Sequence, residues 1–333
     1  MMKPESPKQR ALFSLAALVI SALHFASFFD LEQSVLTDIR YFLYFAQRIA
    51  AGGVPHLDLF DNKTFLASFV GAIFYRIGEL LGVDPLQSIR IGYLALSAWG
   101  GVLCFWIFRR LGKGSSLAGF LGLFAALSFG FMGAFAAIGN SPKILMNLCG
   151  LAMILAVARQ QWFLAGFLGA LAFMDWQVGA LVGIAALAAA VTSGPRRTLA
   201  TSQVVLGGAA GLAPFGIYYA AHGALGQALY QTLTLSLARG STQLAETTLG
   251  TRLGRIGFVV ERIAPGQEWL LAMAFVGLPV GLYWLWKVWH SEAGRLLLPL
   301  LLFTGGIASF SLVDFQRYGD FYALVSAMVL WLG

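Results

Sequence analysis

Charged residues are scarce in this chain. They occupy 11% of its 333 positions, whereas soluble domains carry about a quarter. Hydrophobic residues make up 59%, and the mean hydropathy is +0.77. This composition excludes an ordinary soluble domain and indicates a protein that crosses a membrane many times.

Cysteine and histidine are also scarce. The two cysteines, Cys104 and Cys149, stand inside apolar runs, where cysteine behaves as a small hydrophobic residue, so the pattern favours neither a disulfide nor a metal site. The four histidines have no metal-ligand spacing, and each is predicted to be interfacial or hydrogen-bonded: His24, His56, His222 and His290.

Negative charge is the rarer sign, with 15 carboxylates against 22 lysines and arginines and a net charge of +7. A basic excess of this kind is also found in nucleic-acid-binding proteins. Here, however, the basic residues stand at the ends of apolar runs and do not cluster on one polar face. The charge pattern therefore argues against a nucleic-acid partner.

The uncharged runs predict an all-α polytopic membrane protein, with residues 1–333 forming a single transmembrane domain of about ten helices. The runs fall near 11–29, 91–108, 114–138, 144–158, 160–174, 176–193, 198–221, 269–286 and 296–313, with a last one from 321. The first is too long for a cleaved signal peptide and predicts a retained signal anchor. The last has only thirteen residues before the chain stops at Gly333, so we expect either a truncated chain or an incomplete last helix.

Residues 65–83 are the difficult segment, because they resemble a span but contain Arg76 and Glu79. If they do not cross and the N-terminus is cytoplasmic, eleven cations and only two carboxylates fall on the cytoplasmic side, as the positive-inside rule requires. We therefore predict a second juxtamembrane helix here, within a first external loop at 30–88, and a long external loop at 222–268. Thirteen of the fifteen carboxylates then lie outside, which predicts an extracytoplasmic site.

The stretch from Thr37 to Leu66 concentrates polar groups between hydrophobic segments. Apolar residues at helical spacing predict an amphipathic helix over 37–50 that lies flat on the membrane surface, and Gly52, Gly53 and Pro55 predict its end. Four ionisable residues then follow within eight positions: His56, Asp58, Asp61 and Lys63.

This stretch resembles the first external loop of the GT-C superfamily of polytopic glycosyltransferases. The shared order is Asp38, a short amphipathic helix, Gly-Gly-x-Pro at 52–55, and then Asp58-x-Phe60-Asp61-x-Lys63. The resemblance is strongest to bacterial family-39-like members, relatives of protein O-mannosyltransferases and aminoarabinose transferases. It implies a GT-C-like bundle with two juxtamembrane helices in the first external loop. It also implies transfer of a sugar, with inversion, from a polyprenyl-phosphate carrier to an extracytoplasmic lipid, glycan or protein.

The resemblance makes Asp38 the general base that activates the acceptor hydroxyl, although an Asp there also suits a helix cap. Lys63 is the first candidate to bind the donor phosphate, with snorkelling to the interface as its alternative role. Asp58 and Asp61 are candidates to bind sugar hydroxyls or to shape the loop. Further substrate-binding candidates are Asn140, Lys143, Asp175, Gln177, Arg317 and Tyr318. No cofactor is expected, and a divalent metal on Asp38 with Asp58 or Asp61 is the weaker alternative.

Two other functions remain open at this stage. A transporter or flippase for a lipid-linked sugar would carry ionisable groups and broken helices within the membrane. A non-catalytic GT-C-like partner subunit is the other. All three hypotheses place the chain in the cytoplasmic (inner) membrane as a multi-pass protein with a cytoplasmic N-terminus.

One hexapeptide occurs twice. Leu-Ala-Gly-Phe-Leu-Gly stands at 117–122 and again at 164–169, each time opening a predicted helix. Small residues at this spacing let helices approach closely. Chance in a Gly/Ala/Leu-rich chain and a duplicated helix pair both explain the repeat.

Overall fold

A computed structural model describes residues 6–29, 37–112, 114–127, 142–238 and 283, and in these ranges the fold is all-α. The α-helices are α1 (Pro7–Ala26), α2 (Thr37–Ala50), α3 (Leu66–Leu81), α4 (Pro85–Leu111), α5 (Ser116–Leu127), α6 (Pro142–Ala158), α7 (Trp162–Asp175), α8 (Ala180–Val191), α9 (Arg197–Ala221) and α10 (Leu225–Leu229). Short 3₁₀ turns precede α8 and α9, and a π-helix, Tyr230–Leu235, follows α10.

Within the described ranges, three helical segments are long and apolar enough to cross a membrane: Pro7–Ala26, Pro85–Leu111 and Gly194–Ala221. Shorter apolar helices stand at Pro142–Ala158, Trp162–Asp175 and Gln177–Val191. The prediction of an all-α membrane protein is thus confirmed. The predicted runs at 269–286, at 296–313 and from 321 lie outside the described residues, so the total of about ten spans stays a prediction.

Local sequence explains where the first long helices begin. Ser6 caps α1 through a reciprocal pair with Gln9, and Pro7 occupies the first helical position. Asp84 caps α4 by accepting the backbone N–H of Leu86.

Two hydrogen bonds between helices define the two ends of the described bundle. At one end, the Arg110 guanidinium donates to the Ala158 carbonyl (3.0 Å) and so joins the C-terminal ends of α4 and α6. At the other, Asp175 at the end of α7 accepts the Met146 N–H near the start of α6 (2.9 Å). The loop 51–65 lies at this second end, where the Thr64 hydroxyl donates to α7, and we call it the loop end.

Charge separates between the two ends. The five carboxylates whose side chains are described all belong to the loop end: Asp58, Asp61, Glu79, Asp84 and Asp175. The described charged residues of the opposite end are all basic and stand at helix termini or between helices, although other arginines, such as Arg76 and Arg90, lie at the loop end; those of the opposite end include Arg109, Arg110, Arg159, Arg196 and Arg197. This is the asymmetry that the sequence predicted, with any polar site on the carboxylate-rich side.

Helix α3 runs antiparallel to the first part of α4. The Tyr93 hydroxyl donates to the Ala67 carbonyl (2.7 Å), and the Ser88 hydroxyl donates to the Phe74 carbonyl (2.8 Å). The helix then ends at Gly82, whose φ of 66° suits glycine, just before Pro85 opens α4. Residues 66–81 therefore lie beside only the first part of α4 and do not approach its C-terminal end. The juxtamembrane position of this helix stays a prediction.

Helix α2 buries the face that its periodicity predicted. Phe42, Leu43, Ala46 and Ala50 are buried. Leu43 and Ala46 share one apolar cluster with residues of α3, α4 and α6, including Tyr93. This cluster fixes α2 on the bundle directly below the loop 51–65.

Candidate active site

The loop 51–65 has a defined backbone. Gly52 has a φ of 93°, which glycine adopts without strain, and His56 has a φ of 67°, uncommon for a residue with a side chain. An isolated bridge pairs Pro55 with Leu59. The Asp58 carboxylate accepts the Val54 N–H (2.7 Å), so the exposed Asp58 shapes the turn.

Lys63 emerges from the next turn and extends over α2. The buried Asp61 accepts the Lys63 backbone N–H (3.2 Å), a local turn that orients the residue. The Lys63 Nζ lies 4.9 Å from the centre of the Phe42 ring, a cation–π contact. Asp38 is four positions before Phe42 in the same helix, so helical register separates the two by about one turn. Lys63 of the loop thus contacts the helix that carries Asp38.

Tyr41 ties the loop to α2 beside this turn. Its hydroxyl donates to the Phe60 carbonyl (2.6 Å). Burial, together with the nearby Asp61 carboxylate, raises the pKa of Tyr41. The phenol therefore stays neutral and keeps its proton for this hydrogen bond.

His56 joins the loop to the segment after α9. Its Nδ1 lies 2.9 Å from the Gln231 Oε1, while the Gln231 Nε2 donates to the His56 carbonyl (3.1 Å). The imidazole is buried, with its ring edge-on to Phe65 at 4.7 Å between centroids. Burial lowers the pKa of His56, and the bond to Gln231 opposes that shift. The prediction of a hydrogen-bonded histidine is confirmed.

Helix α7 ends abruptly at Asp175, and Trp176 takes an extended conformation (φ −157°, ψ 141°) before the next turn. We call residues 175–177 the α7–α8 break. Asp175 is fully buried, and its Oδ2 accepts the Met146 N–H. The Ala67 backbone N–H lies beside the same carboxylate, although no hydrogen bond of standard geometry reaches Oδ1 from the described residues. The transporter hypothesis expects ionisable groups at broken helices within the membrane, whereas Asp175 lies at the loop end, beside the start of α6.

Gln177 extends from this break toward the loop. Its Nε2 donates to the Asn62 carbonyl, and it also lies 3.2 Å from both the Thr232 carbonyl and the Ser236 Oγ. Beside it, the Thr64 hydroxyl donates to the Phe173 carbonyl (2.9 Å). Gln177 thus contacts the backbone on the N-terminal side of Lys63.

Two buried cations lie at the helix starts around the same apolar cluster. Lys143, in the first turn of α6, is 8% exposed, and Arg90, in the second turn of α4, is 4% exposed. The Arg90 guanidinium lies 4.7 Å from the Phe29 ring centre and donates to Gln87 (3.2 Å). Together with Lys63, they place three cations at the loop end.

Several residues of this region did not stand out in the sequence. Arg90 belongs to none of the motifs, although an arginine inside a 27-residue apolar helix signals a buried contact. Gln231 and Ser236 carry no motif, because they reach the loop only through tertiary packing. Of the predicted site residues, Asn140, Arg317 and Tyr318 lie outside the described residues.

A metal site would need several carboxylate or imidazole groups close together. Among the described side chains, no group of three or more His, Cys, Asp or Glu residues could hold a metal ion. The carboxylates of Asp58 and Asp61 each accept a backbone N–H of their own loop.

Comparison with known proteins gives one finding. Residues 62–219 match the family described as dolichyl-phosphate-mannose-protein mannosyltransferase, a range that includes Lys63, Lys143, Asp175 and Gln177. No curated protein and no solved structure matches the chain. The resemblance of the loop to GT-C enzymes is therefore confirmed from a largely separate part of the chain. Residues 62–219 thus form a GT-C glycosyltransferase domain similar to that of the dolichyl-phosphate-mannose-protein mannosyltransferase family, whose members use a lipid-phosphate-linked sugar donor.

Proposed function

We propose that the enzyme transfers a sugar from a polyprenyl-phosphate carrier to the hydroxyl of an extracytoplasmic acceptor, with inversion and with Asp38 as general base. The observation that carries the proposal is the position of the Lys63 ammonium over Phe42, one helical turn from Asp38. A base and a cation on opposite sides of an anomeric carbon are what this reaction requires.

The reaction proceeds as a single displacement. Asp38 takes the proton of the acceptor hydroxyl as its oxygen attacks the anomeric carbon from the face opposite the phosphate. The bond between that carbon and the phosphate oxygen breaks, and its electron pair leaves with the polyprenyl phosphate. Lys63, with Lys143, stabilises the negative charge that develops on the departing phosphate. No covalent intermediate on the enzyme is needed.

The remaining candidates hold the substrate and the loop. Asp61 binds sugar hydroxyls, while Asp58 acts mainly through the turn that it closes with Val54. Arg317, Tyr318 and Asn140 are proposed to complete the donor site. We also propose that no metal ion is required, since Lys63 and Lys143 supply the positive charge.

The separation of charge supports an orientation with the loop end outside the cell. The arginine-rich end, with the N-terminus of α1, then faces the cytoplasm, in accordance with the positive-inside rule. The donor enters from the outer leaflet and the acceptor from the external space.

The test is sugar transfer from a panel of polyprenyl-phosphate hexoses and pentoses to a mixed acceptor extract, by purified wild type and by Asp38→Asn. Wild type is expected to turn over at least one donor and Asp38→Asn none. Asp84→Asn is the matched control, because Asp84 is an exposed helix cap at the same end and asparagine caps equally well. Equal turnover by wild type and Asp38→Asn would remove Asp38 as the base. Donor binding without turnover by wild type would contradict the proposed transfer.

A further inference from the structure

Hydrogen bonds hold the backbone of Lys63 on both sides. The carbonyl that precedes it, at Asn62, accepts from the Gln177 Nε2 and from the Ser236 hydroxyl (2.6 Å for Ser236). These two donors occupy both lone pairs of that oxygen. The residue that follows, Thr64, donates its hydroxyl to the Phe173 carbonyl (2.9 Å). The loop is therefore fixed directly before and directly after Lys63.

The α7–α8 break supplies these bonds. Because Trp176 is extended, α7 ends at Asp175 and the Phe173 carbonyl lies among the last carbonyls of the helix, which lack an intrahelical partner. Thr64 satisfies that carbonyl. The same break opens a tight turn at Gln177, whose amide then reaches the loop. If the helix continued through Trp176, neither the bond from Gln177 to the Asn62 carbonyl nor the bond from Thr64 to the Phe173 carbonyl would form.

We infer that Gln177 is a positioning residue for Lys63 and does not itself bind substrate. The inference rests on the proposed role of Lys63 at the departing phosphate. A lysine side chain has a long flexible stem, so the reach of its ammonium depends on where the backbone is held. Gln177 and Ser236 fix that backbone through one shared carbonyl, at Asn62.

The first test replaces Gln177 with glutamate. Gln177→Glu keeps the size of the side chain but replaces the donating amide by an oxygen that faces the Asn62 carbonyl. We expect kcat/KM for polyprenyl-phosphate mannose to fall about tenfold or more, since small misplacements of a catalytic group are costly. Gln161→Glu is the matched control, because Gln161 is exposed at the opposite end of α7 and should leave kcat/KM unchanged.

The second test asks whether Gln177 acts through Lys63. Gln177→Glu is compared in the wild-type and in the Lys63→Met background. If Gln177 only positions Lys63, Gln177→Glu has little further effect once the ammonium is gone. The same fold-loss in both backgrounds would overturn the inference, because the effect of Gln177 would then be independent of Lys63.

A third measurement does not depend on sugar transfer. An amine-specific acylating reagent is applied to each variant, and modification of Lys63 is followed by mass spectrometry, with Lys8 as the internal reference. Gln177→Glu is expected to change the rate at Lys63 and not at Lys8. An unchanged rate at Lys63 overturns the positioning role, whatever the transfer assay gives.

Two results separate this inference from the proposed function. If acylation of Lys63 changes in Gln177→Glu but Lys63→Met transfers sugar normally, Gln177 positions a lysine that does not bind phosphate, and the proposed phosphate role fails. If Gln177→Glu does not fold, Ser236→Ala removes the other donor to the same carbonyl. It should then shift Lys63 reactivity and kcat/KM in the same direction, and no shift in either would overturn the inference.

Discussion

The Lys63 ammonium lies 4.9 Å from the centre of the Phe42 ring. The contact joins the loop after α2 to the helix that carries Asp38. The candidate base, Asp38, and the candidate phosphate-binding residue, Lys63, are therefore both positioned by α2. Phe42 is itself buried. A contact of this kind stabilises a cation through the electrostatic attraction of the ring face.

Lys63→Met tests the charge without removing the stem. Methionine can still pack on Phe42, so the loop should keep its shape while the cation is lost. We expect kcat/KM for the lipid-phosphate sugar to fall about a hundredfold, the usual effect of removing one charge-stabilising group. Lys8→Met, at the opposite end of the bundle, is the control. Unchanged kinetics in Lys63→Met would contradict a phosphate role.

His56 predicts how stability depends on pH. Burial lowers the pKa of His56 below its ordinary value of 6.5, so the folded protein takes up the proton less readily than the unfolded chain. As the pH falls, the unfolded state therefore binds the proton before the folded state does. The free energy of unfolding consequently decreases on acidification below about pH 6.5.

His56→Asn measures this contribution. Asparagine tolerates the positive φ but does not titrate, so the difference in Tm between wild type and variant should shrink as the pH falls below 6.5. His222→Asn, at an exposed histidine after α9, is the control. A difference in Tm for His56→Asn that is independent of pH would show that His56 does not titrate on unfolding.

Gly166→Ala should destabilise the contact between α7 and α9. A Cβ at Gly166 would lie 1.9 Å from the Val204 carbonyl oxygen, and backbone cannot move aside as a side chain can. We expect a loss of about 1–3 kcal/mol, measured by thermal unfolding in detergent. Gly216→Ala, in the same helix as Val204, meets nothing within 4 Å and should be neutral or slightly stabilising. Equal Tm values for the two variants would contradict this packing.

Removal of divalent metal should leave sugar transfer unchanged. The carboxylates of Asp58 and Asp61 are engaged with loop amides, and lysines supply the positive charge. The measurement is initial rate after dialysis against a chelator, with and without added Mg²⁺ or Mn²⁺. Loss of activity that only the metal restores would favour a metal site that includes Asp38.

The repeated hexapeptide shows how much a local pattern can predict. Its spacing indicated close helix contacts, and both copies make them. A Cβ at Gly122 would lie 2.0 Å from Phe108, just as one at Gly166 would meet the α9 backbone. The spacing could not predict which helix each copy contacts, because α5 packs on α4 whereas α7 packs on α9.

The sequence by itself determined the membrane class, the helix 37–50, the turn after it and the side of the molecule that carries the carboxylates. Hydropathy, periodicity and charge placement depend on single residues or short segments, so they can be evaluated without knowledge of the tertiary contacts. Charge balance alone predicted that residues 65–83 do not cross the membrane, and that placement stays a prediction.

Only the tertiary structure decided which residues hold that turn in place. Gln177 and Ser236 are separated from Asn62 by more than a hundred residues of chain, and they meet it because a helix breaks at Trp176 and a π-helix follows α10. The pairing of His56 with Gln231 arises in the same way. Hydrogen bonds between distant segments depend on how whole helices pack, and no local pattern encodes that packing.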